Sequence, residues 1–176
     1  MKVIGIDPGI TATGYGILSL PPTQRWNGDT VMKKGKDISC GTIRPKTNEI
    51  YSRIAEICKN IEQLIDKNKP DLAALEKIFY QKNIQSLLRS SELRGAIILT
   101  LINSKVKIFE YTPAQIKLTT TGNGRASKKQ VRYFIERIIM KNNKRTSNHA
   151  IDALAIAYTA VHKLQSQKNK LDNRII

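Results

Sequence analysis

The sequence predicts a single α/β domain in which a mixed β-sheet is flanked by helices. Three observations support this class: a hairpin pattern at the start of the chain, short apolar strands that alternate with helices further along, and a helical final third. Alternation of strands and helices is typical of layered α/β folds, and an initial hairpin adds antiparallel strands to such a sheet. We expect the domain to occupy residues 1–165, followed by a polar, flexible tail over 166–176.

The first predicted elements are two strands joined by a tight turn. The apolar run Val3–Ile6 leads to Asp7, a Pro-Gly turn follows, and a second apolar run returns. This pattern predicts a β-hairpin with Asp7 at the end of its first strand. Residues 21–36 are polar and rich in proline and glycine, which predicts a long loop or hairpin tip without visible chemistry. The mixed segment 37–44 predicts a third strand.

The remaining elements alternate helices with strands. Apolar residues recur at helical spacing over 50–65, whereas the run DLAALE over 71–76 is typical of a buried strand. The segment 83–103 predicts a long helix with apolar residues around most of its circumference, so it should be buried on two sides. We then predict a strand over 106–111 and helices over 113–122, 127–140 and from Ser147 onward.

The charge of the chain indicates a polyanionic partner. Its 176 residues include 30 Lys and Arg against 14 Asp and Glu, a net charge of +16. Such a field favours nucleic acid, and the aromatic content of 6% argues against a membrane-surface helix. No signal peptide and no membrane-spanning run is visible, and the two cysteines lack metal-ligand spacing. We therefore expect a cytoplasmic nucleic-acid-binding protein.

Three carboxylates and one histidine are candidates for catalysis. Asp7 ends the first predicted strand and Glu76 ends the fourth, and these two strands are often neighbours in such sheets. His149 and Asp152 are three residues apart, so they share one face of the last helix. An oxygen-rich pocket with an imidazole suits Mg²⁺ or Mn²⁺. In a strongly basic protein, this pattern predicts metal-assisted cleavage of phosphodiesters.

Each of these four residues also has a structural interpretation. Asp7 could accept hydrogen bonds within its own turn, and Glu76 could be a solvated strand end. Asp152 could stabilise the N-terminus of its helix. His149 could be a structural hydrogen-bonding residue. The sequence alone leaves these alternatives open.

A basic segment is the second functional signal. Residues 117–145 contain nine basic residues and one acidic residue, a net charge of +8. A glycine-containing loop enters the helix predicted from residue 127, and both its backbone amides and its lysines would suit phosphate groups. The segment lacks the phosphate-loop pattern GxxxxGK[ST], so it does not indicate a nucleotide site.

With these motifs placed, the chain closely resembles the RuvC family of Holliday junction resolvases. The resemblance lies in GIDPG (5–9), TGYG (13–16), LEKIFYQKN (75–83), RGA (94–96), FEYTPAQIK (109–117), GNGRASKKQV (122–131) and HAIDALAIA (149–157). It implies a ribonuclease H-like fold and a dimeric, metal-dependent endonuclease that cuts four-way DNA junctions in recombination and repair. A nuclease acting on structured RNA and a non-catalytic junction binder are the alternatives.

The resemblance also implies roles for particular residues. The metal ligands are expected at Asp7, Glu76, His149 and Asp152, where they would bind two Mg²⁺ ions for which Mn²⁺ can substitute; many members carry aspartate at the position of His149. The residues expected to bind DNA are Phe79, Lys82, Lys117, Arg125, Lys128, Lys129 and Arg132. The helix over 83–103 is expected to form the homodimer interface, and branch-migration proteins are expected partners.

Overall fold

A five-stranded sheet forms the centre of the molecule in the computed structural model, which describes residues 1–20, 38–77, 84–140 and 146–172. The strands are β1 (Lys2–Asp7), β2 (Thr13–Ser19), β3 (Ile38–Ile43), β4 (Leu72–Glu76) and β5 (Lys107–Tyr111). The helices are α1 (Ile50–Asn68), α2 (Ile84–Asn103), α3 (Pro113–Thr121), α4 (Lys128–Phe134) and α5 (Asn148–Asp172). The predicted order of strands and helices is confirmed, and the predicted loop over 21–36 lies outside the described residues.

The sheet is mixed, with strand order β3-β2-β1-β4-β5. β1, β2 and β3 form antiparallel pairs, whereas β4 is parallel to both β1 and β5. The expectation that the first and fourth strands are neighbours is therefore confirmed. Parallel pairing matters for the site because it brings the carboxyl ends of β1 and β4 to the same edge of the sheet.

Apolar side chains form one buried cluster on each face of the sheet. The cluster on one face joins β1 to α1 and α2, and its fully buried isoleucines include Ile4, Ile6, Ile57, Ile61 and Ile97. The other face is covered mainly by α5, whose alanines allow it to lie close to the strands. Such two-sided burial makes the central strands nearly continuous in apolar residues.

Close approach between α5 and β2 explains the glycines of the TGYG motif. A Cβ atom on Gly16 would lie 2.7 Å from the backbone nitrogen of Leu154, and one on Gly14 would overlap the carbonyl oxygen of His149. Any side chain at these positions would push the helix away from the sheet. The glycines therefore fix the distance between the sheet and the N-terminal end of α5, which carries two of the predicted site residues.

Two helices differ from the sequence prediction. The helix predicted over 127–140 consists of α4 followed by a π-helical turn at Ile135–Ile139, in which the amide of Met140 donates to the carbonyl of Ile135 at 2.9 Å. Ile139 and Met140, at the end of this turn, are buried. α5 continues to Asp172, into the segment predicted as a tail, because its lysine, glutamine and leucine residues have good helix propensity.

Among the described residues, no helix has the length and apolar character needed to cross a membrane.

Candidate active site

Asp7 and Glu76 lie side by side at the carboxyl ends of the two central parallel strands. In the register of β1 and β4, Ile6 is paired with Leu75, so the next residue on each strand is a carboxylate. The Asp7 side chain is 19% exposed, and Glu76 is half-buried. The sheet therefore presents two partly desolvated acids at one edge.

The turn after Asp7 is held by Thr13 rather than by Asp7 itself. The Thr13 hydroxyl accepts a hydrogen bond from the amide of Gly9 at 3.2 Å and donates one to the carbonyl of Gly9 at 2.9 Å. The Asp7 carboxylate instead contacts His149, with 2.8 Å between Oδ2 and Nδ1. Asp7 therefore faces the cleft, which disfavours the interpretation of Asp7 as a self-capping turn residue.

The first turn of α5 brings the other two predicted residues to this edge. Ser147 caps the helix as predicted, because its hydroxyl accepts from the amide of Ala150 at 3.2 Å and its carbonyl accepts from the amide of Ile151 at 3.1 Å. His149 and Asp152 then project from one face of the helix, as their spacing predicts. The cap and the glycines beneath α5 together set where these two side chains lie.

These residues enclose a small cleft of about 180 Å³. Its polar lining consists of Asp7, Glu76, Lys117, Lys128, His149 and Asp152, and its apolar lining consists of Pro113, Ile116, Val131, Ala155 and Ile156. All four predicted metal ligands and two of the predicted DNA-binding lysines thus meet in one place. The lysines come from α3 and α4, which cover one side of the cleft.

The other predicted DNA-binding residues are not part of this lining. Arg125, Lys129 and Arg132 lie outside the cleft, and Phe79 and Lys82 lie outside the described residues. Arg132 pairs with Glu136 at 2.6 Å and donates to the carbonyl of Thr146 at 3.2 Å. At the start of α4, the capping box of Ser127 and Gln130 occupies two of the amides that were expected to face phosphate. The lysine side chains are therefore the better candidates for phosphate contacts.

Negative charge accumulates in the cleft. Burial raises the pKa of Asp7, the hydrogen bond from His149 opposes that rise, and the charge of Asp152 adds to it. Burial also raises the pKa of Glu76, and the charges of Asp7 and Asp152 raise it further. Lys128 and Lys117 offset part of this effect. A bound cation would relieve the repulsion among the carboxylates.

The donor set fits a hard divalent cation, although its members make internal contacts. The three carboxylates are suitable ligands for Mg²⁺ or Mn²⁺, whereas an imidazole such as that of His149 is more common as a ligand of transition metals. Among the described residues, however, no three His, Cys, Asp or Glu side chains are arranged as a ready metal-binding cluster. His149 bonds to Asp7, and Nζ of Lys128 lies 3.7 Å from Oδ2 of Asp152. Metal binding therefore requires these side chains to exchange their internal contacts for the ion.

The raised pKa of Glu76 predicts a stability effect. A carboxyl group that binds its proton more tightly in the folded state destabilises the fold when it is ionised, and this penalty is relieved as the pH falls through the raised pKa. In EDTA at neutral pH, Glu76→Gln is therefore expected to be more stable than the wild type. Solvent screening places the gain near the lower end of about 0.5–2 kcal/mol.

Thermal unfolding followed by circular dichroism measures this gain. The difference between the two proteins should shrink as the pH is lowered toward about 4, because the wild-type Glu76 then becomes protonated as well. Added Mg²⁺ should stabilise the wild type more than the glutamine variant. A Glu76→Gln protein that is less stable than the wild type in EDTA would contradict the predicted electrostatic strain.

One contact at the site was not predicted from the sequence. Nη1 of Arg94 in α2 donates to the backbone carbonyl of Glu76 at 2.7 Å, and Nη2 of the same residue pairs with Glu110 in β5. Arg94 and Glu110 belong to two of the motifs quoted above, but neither spacing nor periodicity indicates that they meet. The sequence signal is an arginine among the apolar residues of a helix predicted to be buried on two sides, because a buried arginine needs a partner.

The fold and the cleft define a nuclease of the ribonuclease H-like class, with carboxylates at the ends of its central strands. Residues 3–160 match the family described as crossover junction endodeoxyribonuclease RuvC, and the chain belongs to this family. Members of this family are metal-dependent nucleases. The predicted family, fold class and type of enzyme are therefore confirmed.

Relatives and solved structures support this assignment. The crossover junction endodeoxyribonuclease RuvC of Chlorobium phaeobacteroides is 36% identical over 158 residues, which are 89% of this chain and 79% of the relative. That of a Sulfurovum species is 33% identical and covers 96% of this chain and 99% of the relative. The Thermus thermophilus RuvC structure has a TM-score of 0.74 and 25% identity, and covers 94% of this chain and 97% of its own. A structure of T. thermophilus RuvC in complex with Holliday junction substrate has a TM-score of 0.79 at 23% identity, covers 95% of this chain and 96% of its own, and supports the fold.

Proposed function

We propose that this chain resolves four-way DNA junctions by paired, symmetric, metal-dependent hydrolysis of phosphodiester bonds, in homologous recombination and DNA repair. The observation that carries the proposal is the convergence of Asp7, Glu76, His149, Asp152 and two lysines in one cleft of a RuvC-family fold. A set of acids that can hold divalent cations, beside two lysines, is suited to phosphate chemistry. The net charge of +16 supports a nucleic-acid substrate.

The four predicted ligands would hold two Mg²⁺ ions, for which Mn²⁺ would substitute. Asp7 is the central ligand in this proposal, because it lies beside Glu76 on the sheet and contacts His149. Asp152 completes the set from the start of α5, three residues after His149. When bound, the ions would supply an activated water and stabilise the departing 3′ oxygen. If His149 and Lys128 left their carboxylate partners, the oxygens of Asp7 and Asp152 would become available to bind the ions.

The two lysines of the cleft would bind the phosphate that is cut. Nζ of Lys128 lies at 3.7 Å from the Asp152 carboxylate, and the side chain is 88% exposed, so it can move to a phosphate oxygen. Lys117 approaches from α3 on the same side of the cleft. Positive charge placed there offsets the charge that develops on the phosphorus centre.

DNA outside the cleft would contact a wider basic surface. We propose that Arg125, Lys129 and Arg132 contact the phosphate backbone of the junction arms, together with Lys82. The net charge of +8 over residues 117–145 supports the first three, and the position of Lys82 in the family motif at 75–83 supports the fourth. Phe79 is proposed to engage bases near the junction centre, on the strength of its position three residues after Glu76 in the family motif.

A homodimer formed through α2 would bring two such clefts to one junction. Ile84, Leu88, Leu99 and Ile102 form an apolar stripe on α2, and each is between 58% and 61% exposed. The opposite face of the helix buries Leu93, Ile97 and Leu101 in the core. Gly95 lies within the stripe with open space above it, which permits close approach of a second helix. A two-fold dimer would match the symmetry of a four-way junction.

We also propose a cytoplasmic location and cooperation with branch-migration proteins of the same pathway. Family membership supports both proposals. A junction has to be moved to a cleavable position before it is cut, which gives such partners a reason to act at the same DNA structure.

Cleavage of a synthetic mobile four-way DNA junction tests the proposed function. With Mg²⁺ we expect paired nicks at symmetric positions on two strands of like polarity, and we expect none with EDTA. Linear duplex DNA is the control substrate, and a structured RNA of similar size tests the alternative nuclease. Cutting of the RNA in preference to the junction would favour RNA processing. Tight junction binding without nicks in Mg²⁺ or Mn²⁺ would favour a non-catalytic binder.

A further inference from the structure

We propose that Arg94, held by Glu110, is a positioning residue that fixes Glu76 for metal binding. The inference rests on the proposed function, because it takes Glu76 to be a metal ligand. It assigns a role in the site to α2, a helix that otherwise serves the core and the proposed dimer interface. Arg94 does not line the cleft, so it acts through the strand end that carries Glu76.

The contacts of Arg94 join three elements of the fold. From α2, Nη1 donates to the carbonyl of Glu76 at the end of β4 at 2.7 Å, and Nη2 pairs with Oε1 of Glu110 on β5. The Arg94 side chain is 10% exposed, and that of Glu110 is 39% exposed. A guanidinium group can satisfy both acceptors at once because its donors are arranged in a rigid, planar fork.

The end of β4 is thereby held from two sides. On the sheet side, the amide of Lys77 donates to the carbonyl of Tyr111 at 2.8 Å. On the α2 side, Arg94 fixes the carbonyl of Glu76. A tilt of this peptide would move the Glu76 carboxylate relative to Asp7 and Asp152. Arg94 therefore restricts the movement of Glu76, which is the last residue of β4 and a proposed metal ligand.

Arg94 acts on Glu76 through the position of its peptide group, because the guanidinium contacts the backbone carbonyl of Glu76. The charges with the largest effects on the pKa of Glu76 belong to Asp7, Asp152, Lys128 and Lys117. Glu110 neutralises Arg94 and keeps it directed at β4. Groups that orient a metal ligand from behind are commonly needed for tight metal binding.

Arg94→Lys tests this role without removing the charge. A lysine ammonium is a single point donor on a flexible chain and cannot hold both acceptors as the arginine fork does. We expect the variant to bind Mn²⁺ about 10-fold more weakly, measured from free Mn²⁺ by electron paramagnetic resonance. Junction binding in Ca²⁺ and the oligomeric state in solution should stay unchanged. Cleavage should recover at high Mn²⁺ concentration, because the defect is one of ligand position.

Arg53→Lys is the matched control. Arg53 also uses two donors, since Nε bonds to the carbonyl of Thr47 at 2.8 Å and Nη2 bonds to Asn48 at 3.1 Å, but it lies at the start of α1 outside the cleft. The Mn²⁺ affinity of the Arg53→Lys protein should equal that of the wild type. Glu110→Gln is a second variant that retains an acceptor for Arg94 without the charge, and it should weaken Mn²⁺ binding in the same direction by a smaller factor.

The outcomes separate this inference from the proposed function. If wild-type protein fails to bind Mn²⁺ or to nick the junction, the proposed function is wrong. If the wild type does both, and the folded Arg94→Lys and Glu110→Gln proteins bind Mn²⁺ within about twofold of it, the role of Arg94 is wrong. An equal loss in Arg53→Lys would also overturn that role, because the effect would then be a general one of arginine replacement.

Discussion

Replacement of Asp7 by asparagine is expected to abolish junction cleavage while preserving junction binding. Asp7 lies where β1 meets β4, with Glu76 on the neighbouring strand and His149 at 2.8 Å. Asparagine keeps the size of the side chain and an oxygen acceptor, but it removes the negative charge that would bind a divalent cation. We expect a loss of about 10³-fold or more in cleavage rate.

Binding should survive because it depends on other residues. The basic residues of α3, α4 and their connection are unchanged in Asp7→Asn, and loss of an acid from the cleft reduces repulsion of phosphate. A gel-shift titration in Ca²⁺ should therefore give an affinity within about twofold of the wild type or tighter. Single-turnover cleavage in Mg²⁺ measures the catalytic loss on the same junction.

Asp66→Asn provides the matched control for the change of charge. Asp66 is an exposed residue of α1 that pairs with Lys69 at 3.0 Å, away from the cleft. This variant should cleave at the wild-type rate. If Asp7→Asn cleaves within about tenfold of the wild type, the central ligand has been assigned to the wrong residue. Glu76→Gln and Asp152→Asn are expected to lose cleavage in the same way.

The predictable part of this site follows from local rules. Strand ends are marked by the change from apolar to polar residues, which identified Asp7 and Glu76. The positions of His149 and Asp152 on one helical face follow from three-residue spacing. Because parallel neighbours end at the same edge of a sheet, the pairing of β1 with β4 is sufficient to bring Asp7 and Glu76 together.

The unpredicted part depends on contacts between distant elements. The link from Arg94 to Glu76 and Glu110 requires the relative position of α2, β4 and β5, which no single-segment pattern contains. The contact of His149 with Asp7 depends on how closely α5 approaches the sheet. This close approach requires glycine at position 14, because a Cβ atom there would overlap the carbonyl oxygen of His149. The π-helical turn at Ile135–Ile139 likewise is not indicated by the helical spacing of the residues after α4.

Leu99→Glu is expected to convert the proposed dimer into a monomer that nicks junctions without resolving them. Leu99 lies in the exposed apolar stripe of α2, one turn from Ile102 and from Gly95. In a two-fold interface the substitution occurs twice, so it removes two buried leucines and introduces two like charges close together. A loss of about 3 kcal/mol or more is expected, which raises the dimer dissociation constant about 100-fold or more.

Sedimentation velocity and cleavage of a plasmid with an extruded cruciform measure the two consequences. A dimer with two clefts cuts both strands during one encounter and releases linear plasmid, whereas a monomer leaves a nicked circle. Tyr51→Glu is the matched control, because Tyr51 is an exposed aromatic residue of α1 that lies outside the stripe. It should remain dimeric and produce linear plasmid.

Because Leu99 lies outside the lining of the cleft, retained nicking in Leu99→Glu would show that the chemistry of each site is intact. Linear product from a monomeric Leu99→Glu protein would separate paired cutting from dimer formation through α2.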